Sequence, residues 1–138
     1  MDKLLIAQKL ESLRRCIERV DSKCPPSADA LANNIDAQDI VVLNLSRAVQ
    51  MCVDIASHLV AQTQRPAPAT MGEAIEELHV LGAIDADTAT HLRKAVGFRN
   101  IATHNYETMN WAIVYSICTV GLKDFKTFAK QVAAHSGL

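Results

Sequence analysis

Apolar side chains recur along the chain with the period of a helix rather than of a strand. Over residues 3–20, Ile6, Leu10, Leu13, Ile17 and Val20 alternate at spacings of four and three, one stripe of an amphipathic helix. Its wet side carries Arg14, Arg15, Glu18 and Arg19. Cys24-Pro25-Pro26-Ser27 stops that helix, because adjacent prolines lack N–H groups and clash with a continuing turn. A second start signal lies over residues 33–36, with room for a partial turn before it. Residues 39–63 form the longest apolar segment, where Ile40, Leu43, Leu45, Val49, Cys52, Ile55, Ala56, Leu59 and Val60 cover more than one stripe. A helix there, roughly 36 Å long, would touch several neighbours; it is the expected central helix and a candidate dimer surface. Arg65-Pro66-Ala67-Pro68 ends it.

Thr70 and Glu73 stand at capping-box spacing and open a short helix through residue 81, closed by Gly82. Asp85 or Asp87 starts the next helix, over residues 87–102. It turns Ala89, Leu92, Val96 and Phe98 inward and Arg93 and Lys94 outward. A last helix is predicted over residues 110–133, with Trp111, Val114, Ile117, Cys118, Leu122, Phe125 and Val132 apolar. No repeat, strand alternation or Walker-type glycine run interrupts this pattern. The expectation is an all-α protein, an antiparallel bundle of about five helices forming a single domain over residues 1–138.

Composition narrows the function classes. Hydrophobic residues make up 49% of the chain and aromatics only 4%, which suits packed helices. The formal charge of −1 gives no global attraction to nucleic acid, so any such contact must come from a local cationic patch. Cys16, Cys24, Cys52 and Cys118 form no C-x-x-C pair, and three of them sit in apolar helical stretches. They are expected to be reduced thiols rather than a disulfide frame or zinc site. The first residues lack a signal-peptide pattern, and nowhere do eighteen apolar residues run together. A cytoplasmic protein that does not enter a membrane is expected.

Chemistry concentrates in residues 97–106, Gly-Phe-Arg-Asn-Ile-Ala-Thr-His-Asn-Tyr. Arg99 can stabilise phosphate charge and His104 can move protons near neutral pH. Five residues apart on an unbroken helix, the two would point about 140° from one another. For both to address one phosphate, the helix is expected to end between them. The polar Thr103-His104-Asn105 run suits that, since asparagine tolerates the left-handed backbone found after helix ends. From spacing alone, a solvated helix cap and a functional site both remain open. Tyr106, by the same reasoning, could simply pack where the loop enters the last helix.

The order Arg99-Asn100, three residues, His104, one residue, Tyr106 resembles the signature of the HEPN-domain family. Within it the chain is similar to the HepT toxins of HEPN/MNT toxin–antitoxin pairs. Residues 48–61 resemble that family's long second helix, and residues 73–84 its short third helix and turn. Residues 92–98 match the approach to the motif, and residues 111–115 the helix after it. The likeness runs from about residue 39 to the C-terminus.

The resemblance implies a metal-independent endoribonuclease that needs no cofactor and acts as a homodimer, two motif copies facing each other across a cleft. It implies Arg99 and His104 as the catalytic pair, Asn100 as a supporting residue and Tyr106 as the acceptor of AMP. The AMP would come from a partner antitoxin, an MNT-type minimal nucleotidyltransferase. The chemistry is coherent: a base takes the ribose 2′-hydroxyl proton during attack on phosphorus, and a cation holds the added oxyanion charge. One histidine per chain cannot obviously serve both attack and leaving group, which favours a site shared by two copies.

Weaker candidates surround the motif. Asp54 and His58, at i and i+4, are expected to hydrogen-bond each other, with Asp54 alternatively supporting the site. Arg93 and Lys94 are the candidate RNA contacts. Lys123, Lys126 and Lys130 are expected on a solvated face, with His79, His91 and His135 on the surface. Two rival functions stay open: a non-catalytic HEPN subunit serving a separate nucleotidyltransferase, and a plain helical interaction module.

Overall fold

Side-chain oxygens at the helix starts set the element boundaries. In a computed structural model describing residues 2–138, Asp2, Ser27, Asn34, Thr70, Asp85 and Asn110 each accept a backbone N–H in the first turn of the helix they open. The helices are α1 (Lys3–Lys23), α2 (Ala28–Ala32), α3 (Ile35–Ala61), α4 (Met71–Val80), α5 (Ala86–His104), α6 (Trp111–Thr119) and α7 (Leu122–His135). A single 3₁₀ turn, Tyr106–Thr108, links α5 to α6. Among the described residues there is no strand.

The capping box at α4 closes with a shifted return bond. Thr70 Oγ1 accepts from Glu73 N at 3.1 Å, while Glu73 Oε2 accepts from Ala69 N at 2.8 Å. Gly82, at φ 77°, supplies the left-handed residue that ends this helix. Asp85, rather than Asp87, opens α5; the Thr88 N–H bond at 2.8 Å holds its carboxyl below the usual range. The partial turn expected before α3 is the short helix α2.

α3 is the central element and packs against α1, α2, α4, α5 and α6. Val41, Leu45, Val49, Cys52, Ile55, Ala56 and Leu59 are buried there. By length and composition α3 could cross a bilayer, but 56% of its most apolar window lies inside the bundle. One hydrophobic cluster extends from Ile6 on α1 to Val132 on α7. Leu43 instead remains exposed. The four thiols are free; burial pushes those of Cys16, Cys52 and Cys118 upward, so they are held protonated and unreactive.

The expected single C-terminal helix is two. The carbonyl of Ser116 accepts from both Val120 N (2.9 Å) and Gly121 N (3.0 Å), and the chain turns there before α7 starts. Gly121 is needed at this turn because a Cβ would lie 2.8 Å from the Ile117 Cα and carbonyl oxygen. The bundle therefore has seven α-helices among the described residues rather than about five.

The pairing expected between Asp54 and His58 is also replaced. Asp54 accepts from Lys9 Nζ at 3.1 Å and from Gln50 Nε2 at 2.8 Å, so its carboxylate ties α1 to α3. Among the described residues, His58 Nε2 is buried without a hydrogen-bond partner.

Candidate active site

Residues 99–106 lie where α5 leaves the bundle. The helix does not end between Arg99 and His104: α5 runs unbroken through His104, and Asn105 N donates to Ile101 O at 2.8 Å. Asn105 closes it at φ −148°, an extended rather than left-handed conformation. The polar residues do not break the helix because their side chains are served locally or by solvent. Thr103 Oγ1 donates back to the Arg99 carbonyl at 2.9 Å, while Asn100 and His104 are exposed.

The consequence is geometric. Within one chain Arg99 and His104 stand about 7.5 Å apart along the axis and about 140° apart around it. Asn100 and His104, at i and i+4, share a face with Gly97 and Arg93. Arg99 turns the other way, toward the start of α4, where its Nη1 lies 3.5 Å from the Met71 sulfur. It is half-buried and makes no ion pair among the described residues. A half-buried guanidinium facing a weak acceptor is well placed to receive an anion. Arg93, in contrast, is already paired with Glu76, whereas Lys94 is exposed at the edge of a groove.

Tyr106 opens the 3₁₀ turn and is more constrained than its sequence context suggested. Its hydroxyl donates to Asp39 Oδ1, in the second turn of α3, at 2.9 Å. Its ring meets Trp111 edge-on, centroids 6.0 Å apart and planes at 72°. Burial, then the Asp39 bond and charge, push the phenol up to about 12. Asp39 was not singled out in the sequence. Sixty-seven residues separate it from Tyr106, so no local spacing links them.

Beside the motif, α5, α6 and α7 enclose an apolar groove of about 800 Å³. Ile101, Ile113 and Val120 line it while remaining 49%, 58% and 70% exposed. Gly97 also lines it, and a Cβ there would meet nothing within 4 Å. Among the described residues no three His, Cys, Asp or Glu side chains gather as a metal-binding group.

Residues 13–132 match the family model described as ribonuclease HepT-like. The mRNA nuclease HepT of Shewanella oneidensis is 32% identical over 130 residues, spanning 94% of this chain and 97% of that protein. A solved structure of the tri-AMPylated Shewanella oneidensis HEPN toxin in complex with MNT antitoxin aligns with a TM-score of 0.88. It is 31% identical and covers 97% of this chain and 99% of its own. A toxin–antitoxin structure with AMP-PNP aligns at 0.87, with 31% identity over 94% of this chain and 98% of its own. The YutE protein of Bacillus subtilis, only 11% identical, shares the fold at a TM-score of 0.83 over 98% of this chain and 90% of its own. Taken with the helical order and the Arg-Asn, His, Tyr motif at the end of α5, these likenesses show that the chain belongs to the HepT-like ribonuclease family.

Proposed function

We propose that this chain is the RNA-cleaving toxin of a toxin–antitoxin pair, an endoribonuclease whose catalytic groups are Arg99 and His104. The observation that carries the reading is the placement of an unpaired half-buried guanidinium and an exposed imidazole on the last turns of one helix. His104 takes the proton of a ribose 2′-hydroxyl as that oxygen attacks the neighbouring phosphorus. Arg99 holds the charge that builds on the phosphoryl oxygens, and Asn100 offers a further hydrogen bond from the His104 face. The departing 5′-oxygen needs a proton, which a second copy of His104 supplies.

The reading includes a homodimer. Two observations support it: Arg99 and His104 diverge within one helix, and the groove on the Ile101 side of that helix leaves Ile101, Ile113 and Val120 uncovered. In a two-fold pair, the histidine of one copy reaches the phosphate held by the arginine of the other. Lys94 at the groove edge is the better-placed RNA contact, since Arg93 must first leave Glu76. Tyr106 accepts AMP from an MNT-type nucleotidyltransferase antitoxin. Phosphate placed two residues beyond His104 occupies the cationic site and repels an RNA backbone. The setting is the cytoplasm, where RNA and ATP are available.

The purified chain should cleave RNA, with or without EDTA. Arg99→Ala and His104→Ala should each lower cleavage by about 10²–10⁴-fold, the usual loss of a positioned charge or proton-transfer group. Folded variants that cleave as fast as the parent would sink the catalytic assignment and leave the passive-subunit reading.

A further inference from the structure

Attachment of AMP to a tyrosine needs the phenol to lose its proton. In this fold that proton already points at a base: Tyr106 Oη donates to Asp39 Oδ1 at 2.9 Å, with the ring held against Trp111. The chain's second tyrosine, Tyr115, donates instead to the Pro26 carbonyl at 3.0 Å, an acceptor that takes no proton. We propose that Asp39 is the proton acceptor when Tyr106 attacks the α-phosphorus of a nucleoside triphosphate. The inference rests on the reading of Tyr106 as the modified residue and adds the group that makes it reactive.

The step balances. The Tyr106 oxygen bonds to the α-phosphorus, and the bond from that phosphorus to the bridging oxygen breaks. Pyrophosphate leaves with the electron pair, and the phenolic proton passes to Asp39 Oδ1. A free phenolate is a poor route here. Burial and the adjacent carboxylate push the phenol up to about 12, so almost none is ionised near neutral pH. The same carboxylate lowers the barrier when proton and phosphoryl group move together, the usual task of a general base. Asp39 is the charged group that acts on this phenol. Once the ester has formed and Asp39 has released the proton to solvent, the ester oxygen has no proton to donate and the new phosphate faces a carboxylate, so the Asp39 bond is lost.

The test uses the full chain with its nucleotidyltransferase and ATP, following the AMP adduct by intact mass under single-turnover conditions. Asp39 is exposed on α3, so Asp39→Asn and Asp39→Glu should fold, as checked by thermal unfolding. Asp39→Asn should slow labelling by about 10²–10⁴-fold near neutral pH, and Asp39→Glu should recover part of the rate. The Asp39→Asn rate should climb with pH as the phenol ionises, whereas the parent rate stays flat from about pH 6 to 9. Equal rates for parent and Asp39→Asn overturn the proposal. So does a loss that saturating transferase erases, or a parent rate that itself climbs tenfold per pH unit. A parent chain that takes up no AMP overturns the Tyr106 reading and Asp39's role with it.

Discussion

Gly97 is the least expected residue of α5. A glycine inside a helix costs about 0.5–1 kcal/mol relative to alanine, and among the described residues nothing beyond its own helical backbone and chain neighbours lies within 4 Å of where its Cβ would be. The protomer has no steric need for it. Gly97→Ala should therefore stabilise the diluted chain by about that amount, raising its thermal midpoint by a few degrees. A simultaneous fall in RNA cleavage would mark Gly97 as a place where another backbone comes close. At this level the sequence was uneven. That Arg99, His104 and Tyr106 cluster at the end of one helix could be read, because their spacing is short and local. The Asp39 bond to Tyr106 and the Lys9 bond to Asp54 were not, because both join residues far apart in the chain. The i, i+4 rule suggested Asp54 with His58, and a cation on a neighbouring helix won instead.

The helix starts were the easiest elements to read, because caps are a side-chain property of single residues. Asn34, Thr70, Asp85 and Asn110 open their helices where polar residues precede apolar periodicity. Helix ends were harder. The polar run Thr103-His104-Asn105 suggested a break after Arg99, yet the helix continues through His104, with Thr103 bonded to its own preceding turn and His104 open to solvent. The opposite misreading occurred at Gly121, where an unbroken apolar pattern hid a turn between α6 and α7. Gly121→Ala should test that junction. Its new methyl would press on the Ile117 backbone rather than on a movable side chain, so about 1–3 kcal/mol of stability should be lost in urea unfolding. An unchanged midpoint would mean that α6 and α7 can separate freely.

The bundle as a whole was largely legible, since one apolar cluster joins helices whose order the periodicity predicts. What the pattern could not reveal is the surface left over. Ile113 and Val120 belong to the same apolar rhythm as the core but remain exposed on the groove. Ile113→Glu should hardly alter protomer stability, about 0.5 kcal/mol or less. It should nevertheless shift sedimentation toward monomer and reduce cleavage in parallel. A variant that stays dimeric and active would move the interface elsewhere. The unbroken course of α5 has one more consequence, for how the motif tolerates change. In a loop, one residue more or less between Arg99 and His104 would be absorbed by a bend. On a continuous helix the same insertion swings every later side chain through about 100°. His104 would leave its face, and Tyr106, just beyond the helix end at Asn105, would have to be re-seated to keep its bond to Asp39. The spacing between arginine and histidine is thus a rotational phase, set by the helix rather than by a loop.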